Sequence, residues 1–506
     1  MSVKKPLVLY WARRDLRVLD NPALLAASTY CREINADFLP VYILEDYMVE
    51  AKPEFQFGYP SRWFLSQALP VFAKNFQQFL LVQAKAANYL TELSKKYQLT
   101  IFVNDDIYPD FYTQIDKLKS AGVVIHVEED ALSVGKETRS QEGNLYSVFT
   151  PFKKRVWTEF VQKKNQRKFI DKNISYLRAA ELAKLPNQIK VNSDTIFSIF
   201  SNHRNLKVNK ELIDLDLLVP KPALAGWYVS EAEALKRFSD YLKSGDLGNY
   251  DNNRNSLELD AENITDKYAY SGKTSKMSLA LAWGLVSSRV LVGLLQKHFA
   301  EDFSNPESSR VDQGALVYIS ELIWREFYRY QLFHHPELMQ IEFQKRFRDS
   351  ISWVEPKVAK ERFLAWIIGE TGYPVVDAAM KQLATTGWMH NRARMIVASV
   401  LTKNLGVDWR WGQEYFRASL IDLDEASNNG GWQWGASVGA DPKPIRIFNP
   451  ELQAKNYDRS GAYRNKWLEE NDAILLSPKV PIVEHRQARE EAMVRYGLGK
   501  RKSKNS

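Results

Sequence analysis

The sequence has few of the residues that form disulfides and metal sites. Of its 506 residues one is cysteine, Cys31, and seven are histidines. A single cysteine excludes an intramolecular disulfide framework and favours a reducing compartment, so a cytoplasmic location is expected. The histidines are scattered, His334 and His335 form the one adjacent pair, and H-E-x-x-H is absent. The pattern therefore predicts no metal site.

Long apolar runs and nucleotide-binding loops are also missing. No segment approaches the length of about 18 apolar residues that a membrane span needs, and the apolar run at 7–11 is too short for a signal-peptide core. We therefore expect no association with a membrane. The segment 11–17 after the first predicted strand lacks G-x-G-x-x-G, and neither a Walker A loop nor G-x-S-x-G occurs. These absences argue against an NAD site at this turn, a P-loop and a hydrolase elbow.

Basic and aromatic residues are abundant. The formal net charge is +8, from 69 lysines and arginines against 61 acidic residues, and this excess favours a polyanionic partner. Eight of the 14 tryptophans lie between Trp324 and Trp434. Ordinary core packing could explain this clustering, and so could a functional site.

The periodicity predicts two domains and a connection between them. Residues 1–135 alternate buried strands with helices, which indicates an α/β domain with a parallel, Rossmann-like sheet that lacks the dinucleotide fingerprint. Residues 136–229 are predicted to be an interdomain connection. Residues 230–490 show helical spacing almost throughout and predict an all-α domain, and residues 491–506 predict a solvated basic tail.

Within the α domain, a capping box at Ser230 and Glu233 predicts the start of a helix. Further helices are predicted at 279–295, 315–332, 375–383 and 392–405. The segment 428–431, Asn-Asn-Gly-Gly, is expected to end a helix or form a tight turn, although its glycines would also allow backbone to approach a planar cofactor.

Two further stretches could carry chemistry. Thr274, Ser275 and Ser278 precede a predicted helix, where hydroxyls could cap the helix or bind a phosphate. Glu321 begins a helical face at positions i, i+3, i+4 and i+7 that combines a carboxylate, an indole, a guanidinium and a phenol. This face could be a salt-bridged surface or the wall of a site.

Six ordered motifs carry a family resemblance. They are residues 11–17 with 20–24 (WARRDLR and DNPAL), 321–328 (ELIWREFY), 371–374 (TGYP), 387–392 (GWMHNR), 428–434 (NNGGWQW) and 446–450 (RIFNP). On these motifs the chain resembles the photolyase/cryptochrome family over nearly its whole length, and it is most similar to class I cyclobutane-pyrimidine-dimer photolyases.

The resemblance implies an antenna-pigment role for the α/β domain, with the helical domain as the FAD-binding catalytic domain. It assigns the FAD phosphates, the flavin and the ribose to Tyr250, Thr274, Ser275, Met277, Ser278, Arg325, Arg394, Asp422, Asp424 and Asn428. Among these, Arg394 would pair with Asp422, and Asn428 would face flavin N5, where an amide suits reduced flavin.

The resemblance also implies a carbon–carbon lyase. Excited reduced FAD would donate an electron to a flipped-out pyrimidine dimer, the cyclobutane ring would split, and the electron would return. The implied dimer pocket consists of Glu321, Trp324, Asn391, Arg392, Met395 and Trp434. UV-damaged DNA is the implied partner, with phosphate contacts expected from Arg392, Lys443 and Arg446, and a monomer is expected.

Electron supply and light harvesting follow from the same resemblance. Trp432, Trp409 and Trp353 match the family's relay tryptophans, with Trp366 or Trp411 as substitutes for Trp353. Met339-Gln340 replaces the Cys-Lys pair of folate-antenna relatives, and the glutamate expected after the fourth strand is absent near residues 108–110. These departures argue against a folate antenna and leave a deazaflavin, another flavin or no antenna open.

The alternative is a cryptochrome, a blue-light receptor without repair activity. It would share the fold and FAD. The matching dimer pocket and the roughly 50 residues that follow residue 450 favour repair instead.

Overall fold

A computed structural model describes residues 4–49, 58–107, 109–130, 135–162, 187–200, 204–208, 211–260, 274–301, 303, 312–440, 445–469 and 480–498. Among the helices in these ranges, none is both long and apolar enough to span a bilayer.

The N-terminal domain is built on a parallel sheet in the order β3-β2-β1-β4-β5. Its strands are β1 Pro6–Ala12, β2 Asp37–Leu44, β3 Leu80–Gln83, β4 Gln98–Asn104 and β5 Val124–Glu128. All eight residues of β2 are buried, as expected for a strand covered by helices on both faces. The predicted α/β fold is confirmed. The strand order reverses between β1 and β4, so the segments after these two strands meet at one edge of the sheet.

Helices cover this sheet and connect its strands. They are α1 Pro22–Glu33, α2 Asp46–Val49, α3 Tyr59–Ala73, α4 Ala86–Lys96 and α5 Pro109–Ser120. Helix α1 begins as the sequence predicts, because Asn21 caps it by accepting from the Leu24 N–H and proline occupies the first turn.

The connection between the domains contains short elements. They are α6 Phe149–Val156, a π-helix at Trp157–Gln162, α7 Ser193–Ile199, a hairpin of β6 Asn205–Val208 with β7 Glu211–Asp214, and α8 Leu215–Leu218.

The second half of the chain is helical in the parts that the structure describes, as predicted. Its α-helices are α9 Glu231–Ser244, α10 Tyr250–Asn253, α11 Ser278–Ala282, α12 Ser288–Phe299, α13 Gln313–His334, α14 Pro356–Ile368, α15 Pro374–Thr386, α16 Asn391–Ser399, α17 Trp409–Ser419, α18 Glu425–Gly435, α19 Pro450–Tyr457, α20 Ala462–Glu469 and α21 His485–Arg495. Ser230 caps α9 by accepting from the Glu233 N–H, as the capping box predicts.

Two expectations about helix limits are wrong, those for residues 279–295 and 428–431. The helix predicted at 279–295 is two helices, α11 and α12, because Gly284 between them has a φ of 64° and lies against the Arg14 backbone. The helix predicted at 392–405 is confirmed, as α16 followed directly by a π-helix at Val400–Asn404. The segment 428–431 neither ends a helix nor forms a turn, since it lies inside α18. The predicted domain limit at 490 falls within α21.

A candidate cofactor and substrate cavity

A cavity of about 490 Å³ opens in the helical domain, within the range typical of ligand sites. Fifteen residues singled out by the sequence line it: Tyr250, Ser275, Met277, Ser278, Glu321, Trp324, Arg325, Asn391, Arg394, Met395, Asp422, Asp424, Asn428, Trp432 and Trp434. Segments far apart in the chain therefore converge on one opening.

Helix α13 supplies one wall. Its residues Glu321, Trp324, Arg325 and Tyr328 all line the cavity, as their i, i+3, i+4 and i+7 spacing allows. The mixed face is thus the wall of a site. Glu321 forms an ion pair with Arg254, a cavity residue that the sequence reasoning missed.

An aromatic stack stands behind this wall. The rings of Phe149 and Trp324 lie 3.5 Å apart between centroids at an angle of 6°. Phe149 comes from α6 in the interdomain connection, and nothing in its sequence surroundings indicates a role beside Trp324. One face of the indole is therefore covered by the protein itself.

Two carboxylates of the cavity lining are held by arginines. Arg394 donates to both oxygens of Asp422, at 3.0 and 2.8 Å, as the resemblance implies. Asp424 lies 3.4 Å from Arg325 and 3.1 Å from Arg329. Burial alone would raise the pKa of Asp424, but the charges of the two arginines outweigh it and hold the pKa well below its usual value. The cavity lining thus carries fixed charges of both signs.

The segment 274–278 does not act as a simple helix cap. Helix α11 begins at Ser278 and has five residues, and Met277 at its N-cap makes no side-chain cap bond. The Ser275 hydroxyl lies 2.9 Å from the Tyr318 hydroxyl, and the Ser278 hydroxyl accepts from Trp388 Nε1 at 3.3 Å. The buried Thr274 hydroxyl has no hydrogen-bond partner among the described residues. These hydroxyls leave capacity for an anionic ligand.

Helix α18 presents an amide and an open backbone surface. Asn428 Nδ2 donates to the Gln413 carbonyl at 3.1 Å, so Oδ1 is the atom left over. That oxygen is buried and lacks a partner among the described residues. A Cβ on Gly431 would meet nothing within 4 Å, whereas one on Gly430 would lie 2.1 Å from the Tyr328 ring. An unmatched acceptor beside a bare backbone suits a planar ligand that carries an N–H.

The tryptophans proposed for electron relay occupy different surroundings. Trp432 lies 5.0 Å from Phe416 and 5.9 Å from Trp366, between ring centroids. Trp409 is fully buried and donates its indole N–H to Glu342 at 3.2 Å. Trp353 is half-buried and lies edge-on to Tyr496 at 6.2 Å. Trp411 contacts Phe363 at 5.2 Å.

The remaining predicted residues lie outside the cavity lining. Arg392 turns to Asn255, which it contacts at 2.6 Å, and stacks on the Tyr457 ring at 4.2 Å. Arg446 lies over the Trp434 ring at 5.3 Å, next to the cavity. Lys443 lies outside the described residues, and Thr274 is adjacent to the lining residue Ser275.

Comparisons with known proteins agree with this architecture. Residues 8–168 match the family described as DNA photolyase, and residues 318–477 match the FAD binding domain of DNA photolyase. The chain is 33% identical to a deoxyribodipyrimidine photo-lyase of Synechococcus over 92% of this chain and 88% of that protein.

Solved structures give the same result. A class III photolyase from Agrobacterium tumefaciens superposes with a TM-score of 0.75 at 28% identity, covering 98% of both chains. A cryptochrome from Synechocystis superposes with a TM-score of 0.72 at 26% identity, covering 98% of this chain and all of that one. On the extent of these matches, the chain belongs to the DNA photolyase family.

Proposed function

We propose that the protein splits cyclobutane pyrimidine dimers in DNA, using blue light and a reduced FAD. One observation carries the proposal: a single cavity combines arginine–carboxylate pairs and an unmatched amide oxygen with an indole wall. The first group suits a flavin nucleotide, and the second suits an apolar, planar lesion. Relatives named deoxyribodipyrimidine photo-lyase support the same activity.

The cofactor side consists of residues that bind and orient FAD. Ser275, Ser278 and Thr274 have hydroxyls for the phosphates, with Tyr250 and Met277 beside them. Arg394 with Asp422 and Arg325 with Asp424 form fixed ion pairs that would hold the flavin and the ribose. Bound FAD, when reduced and excited by light, would act as a one-electron donor.

Asn428 sets the preference for the reduced flavin. Because the Gln413 carbonyl can only accept a hydrogen bond, it fixes the amide NH₂, and Asn428 Oδ1 is then oriented to accept an N–H. The reduced flavin carries an N–H at N5 and the oxidised form does not. The amide therefore favours the state that repairs.

The substrate side consists of Trp324 and Trp434 with Glu321, Asn391 and Met395. The two indoles provide apolar surfaces for a dimer that has left the DNA stack. Glu321, held by Arg254, offers carboxylate oxygens to a pyrimidine N–H. Arg446 lies over the Trp434 ring, and Arg392 follows the lining residue Asn391. Both arginines are proposed to contact DNA phosphates, as is Lys443.

Trp432, Trp409 and Trp353 are proposed to bring an electron from the surface when the flavin is oxidised. The Trp432 ring lines the cavity, and Trp353 is the most exposed of the three. Trp432→Phe is expected to abolish photoreduction while repair by pre-reduced protein stays near the wild-type level. Loss of repair in the pre-reduced variant would contradict a relay role.

The decisive experiment illuminates the purified, FAD-loaded and chemically reduced protein with an oligonucleotide that contains one thymine dimer. We expect blue light to restore intact thymines and darkness to leave the dimer unchanged. Trp324→Ala should weaken dimer binding by about 1–3 kcal/mol, since one base–aromatic contact is lost. A dimer that survives illumination of the loaded, reduced protein would overturn the proposal, and tight dark binding without repair would favour a cryptochrome.

A further inference from the structure

Trp409 and Trp432 differ in what meets the indole N–H. The Trp432 N–H is buried and has no hydrogen-bond partner among the described residues. The Trp409 N–H, in contrast, points to Glu342 Oε1 at 3.2 Å. Both indoles are shielded from solvent, with exposed fractions of 2% for Trp432 and 0% for Trp409. The presence of a carboxylate at one N–H and not at the other therefore has a larger electrostatic effect than it would have in water.

The two indoles lie close together in the fold. A Cβ on Gly412 would lie 2.1 Å from the Trp432 ring, so that ring packs directly on the backbone of α17. Gly412 follows Trp409 by three residues and shares its side of this helix. The Trp432 ring therefore contacts α17 about one helical turn away from Trp409.

Several charged side chains lie close to Trp409. Arg410 lies over its ring at 4.9 Å and donates to Glu342 at 2.8 Å and to Asp408 at 2.8 Å. Arg348 donates to the main-chain carbonyl of Glu342 at 2.9 Å, and Glu342 itself is only 3% exposed. A carboxylate that accepts the indole N–H in a poorly solvated site favours positive charge on that indole.

We propose that Glu342 stabilises the positively charged, one-electron-oxidised form of Trp409 and thereby directs electron flow from Trp409 to Trp432. This inference rests on the proposed relay. In the step, one electron leaves Trp409 and fills the vacancy on Trp432, whose own electron has gone to the light-excited oxidised flavin. No bond breaks, and the proton stays on Trp409 Nε1, where Glu342 Oε1 accepts its hydrogen bond. A thiol in solution finally restores the electron to the relay.

The test variant is Glu342→Gln, which can still accept a hydrogen bond but loses the charge. A hydrogen bond to a charged group contributes about 1.5–3 kcal/mol and a neutral one about 0.5–1.5 kcal/mol, so the substitution removes about 1 kcal/mol or more, which is a factor of at least about five. The yield of flavin photoreduction should therefore fall at least about fivefold, and the oxidised-tryptophan absorbance after a laser flash should decay faster. Glu342→Asp keeps the charge and should recover part of the yield. Glu337→Gln removes an exposed carboxylate from the same segment and should match wild type.

A second readout needs no light. In the dark holoenzyme, the indole N–H resonance of Trp409, assigned by its loss in Trp409→Phe, should shift in Glu342→Gln and stay in place in Glu337→Gln. If Glu342→Gln does not fold, Arg410→Gln tests the same electrostatic effect on Trp409 by removing a positive charge. Because the cation over the ring is lost, the oxidised-tryptophan signal should then last longer.

The outcomes separate the inference from the relay beneath it. Loss of photoreduction in Trp409→Phe together with a reduced yield in Glu342→Gln supports both. Loss in Trp409→Phe with wild-type yield and decay in Glu342→Gln overturns the role of Glu342 and leaves the relay standing. Normal photoreduction in Trp409→Phe removes Trp409 from the relay and the inference with it. Dimer repair by pre-reduced protein should be unchanged in all of these variants.

Discussion

At the residue scale, Phe149 covers one face of Trp324 and leaves the other face for the proposed dimer. Its ring covers one indole face at 3.5 Å, while Trp324 itself lines the cavity. An aromatic pair of this kind contributes about 0.5–1.5 kcal/mol beyond burial. Phe149→Ala should therefore let the indole rotate and raise the dissociation constant for dimer-containing DNA by about twofold to tenfold.

This prediction is checked by dark binding to a dimer oligonucleotide, with undamaged DNA of the same sequence as reference. Phe149→Tyr keeps the stacked ring and should bind like wild type. The repair yield per bound dimer should stay unchanged, because Phe149 touches neither reacting group. An unaltered dissociation constant in Phe149→Ala would show that Trp324 needs no support.

The sequence predicted many lining residues of the cavity, and it failed where a contact depends on packing. Glu321, Trp324 and Arg325 follow from helical spacing, and their roles follow from a family motif. Arg254 and Phe149 carry no local signal, since their significance comes from facing α13 across the fold. Spacing within one helix specifies which residues share a face, but it does not specify what that face meets.

At the element scale, α18 has two adjacent glycines with different neighbours. Gly430 is packed against the Tyr328 ring, and Gly431 faces open space at the cavity. Gly430→Ala should destabilise the protein by about 1–3 kcal/mol, as overpacking does, with or without FAD. Gly431→Ala should leave the melting temperature of the FAD-free protein unchanged or slightly raised, because alanine favours helix.

The two variants should also differ in how much FAD they retain. A methyl group at Gly431 would project into the space assigned to the cofactor, so this variant should retain less FAD through gel filtration than wild type. Gly430→Ala is the comparison at the neighbouring position, where the added methyl group meets the Tyr328 ring and not open space. Full FAD retention by Gly431→Ala would place the flavin elsewhere in the cavity.

Strands and helices were predicted well where their hydrophobic pattern extends over many residues. They were predicted poorly where a tertiary contact interrupts the element. Strands β1, β2 and β4 contain long apolar runs, whereas β3 has only four residues and was not predicted. The break between α11 and α12 could not be foreseen, because it arises from the backbone of Arg14, 270 residues earlier in the chain, lying against Gly284.

At the scale of the whole molecule, a buried group of charges joins the two domains. Asp130, just after β5, receives Arg17 at 2.7 Å from the same domain and Arg289 at 2.5 Å from α12 in the helical domain. Arg289 also bonds Asp20 at 2.8 Å, with Ser287 on the same oxygen at 2.5 Å. The N-terminal sheet and α12 are thereby held together, and the sequence could not predict this because Asp130 lies 113 residues from Arg17 and 159 residues from Arg289.

This joint should make stability depend on pH below neutrality. Burial would raise the pKa of Asp130, but the charges of Arg17 and Arg289 prevail and hold it well below the usual value. A carboxylate with a depressed pKa in the folded state stabilises above its unfolded pKa of about 4. That contribution is lost as the pH falls from about 4 through the folded value. Urea unfolding should therefore show a falling midpoint as the pH drops below about 5.

Asp130→Asn isolates the contribution of this carboxylate. At pH 7 the variant should lose about 3–5 kcal/mol, because two buried arginines lose their shared partner. The gap from wild type should narrow with acidification, since the wild-type carboxylate is then neutralised as well. Asp240→Asn provides the control: its pair with Lys236 is on the surface of α9, where a pair of this type contributes about 0.3–0.5 kcal/mol. If the gap between Asp130→Asn and wild type stayed constant with pH, the charge of Asp130 would not be what joins the domains, and the packing around it would have to be.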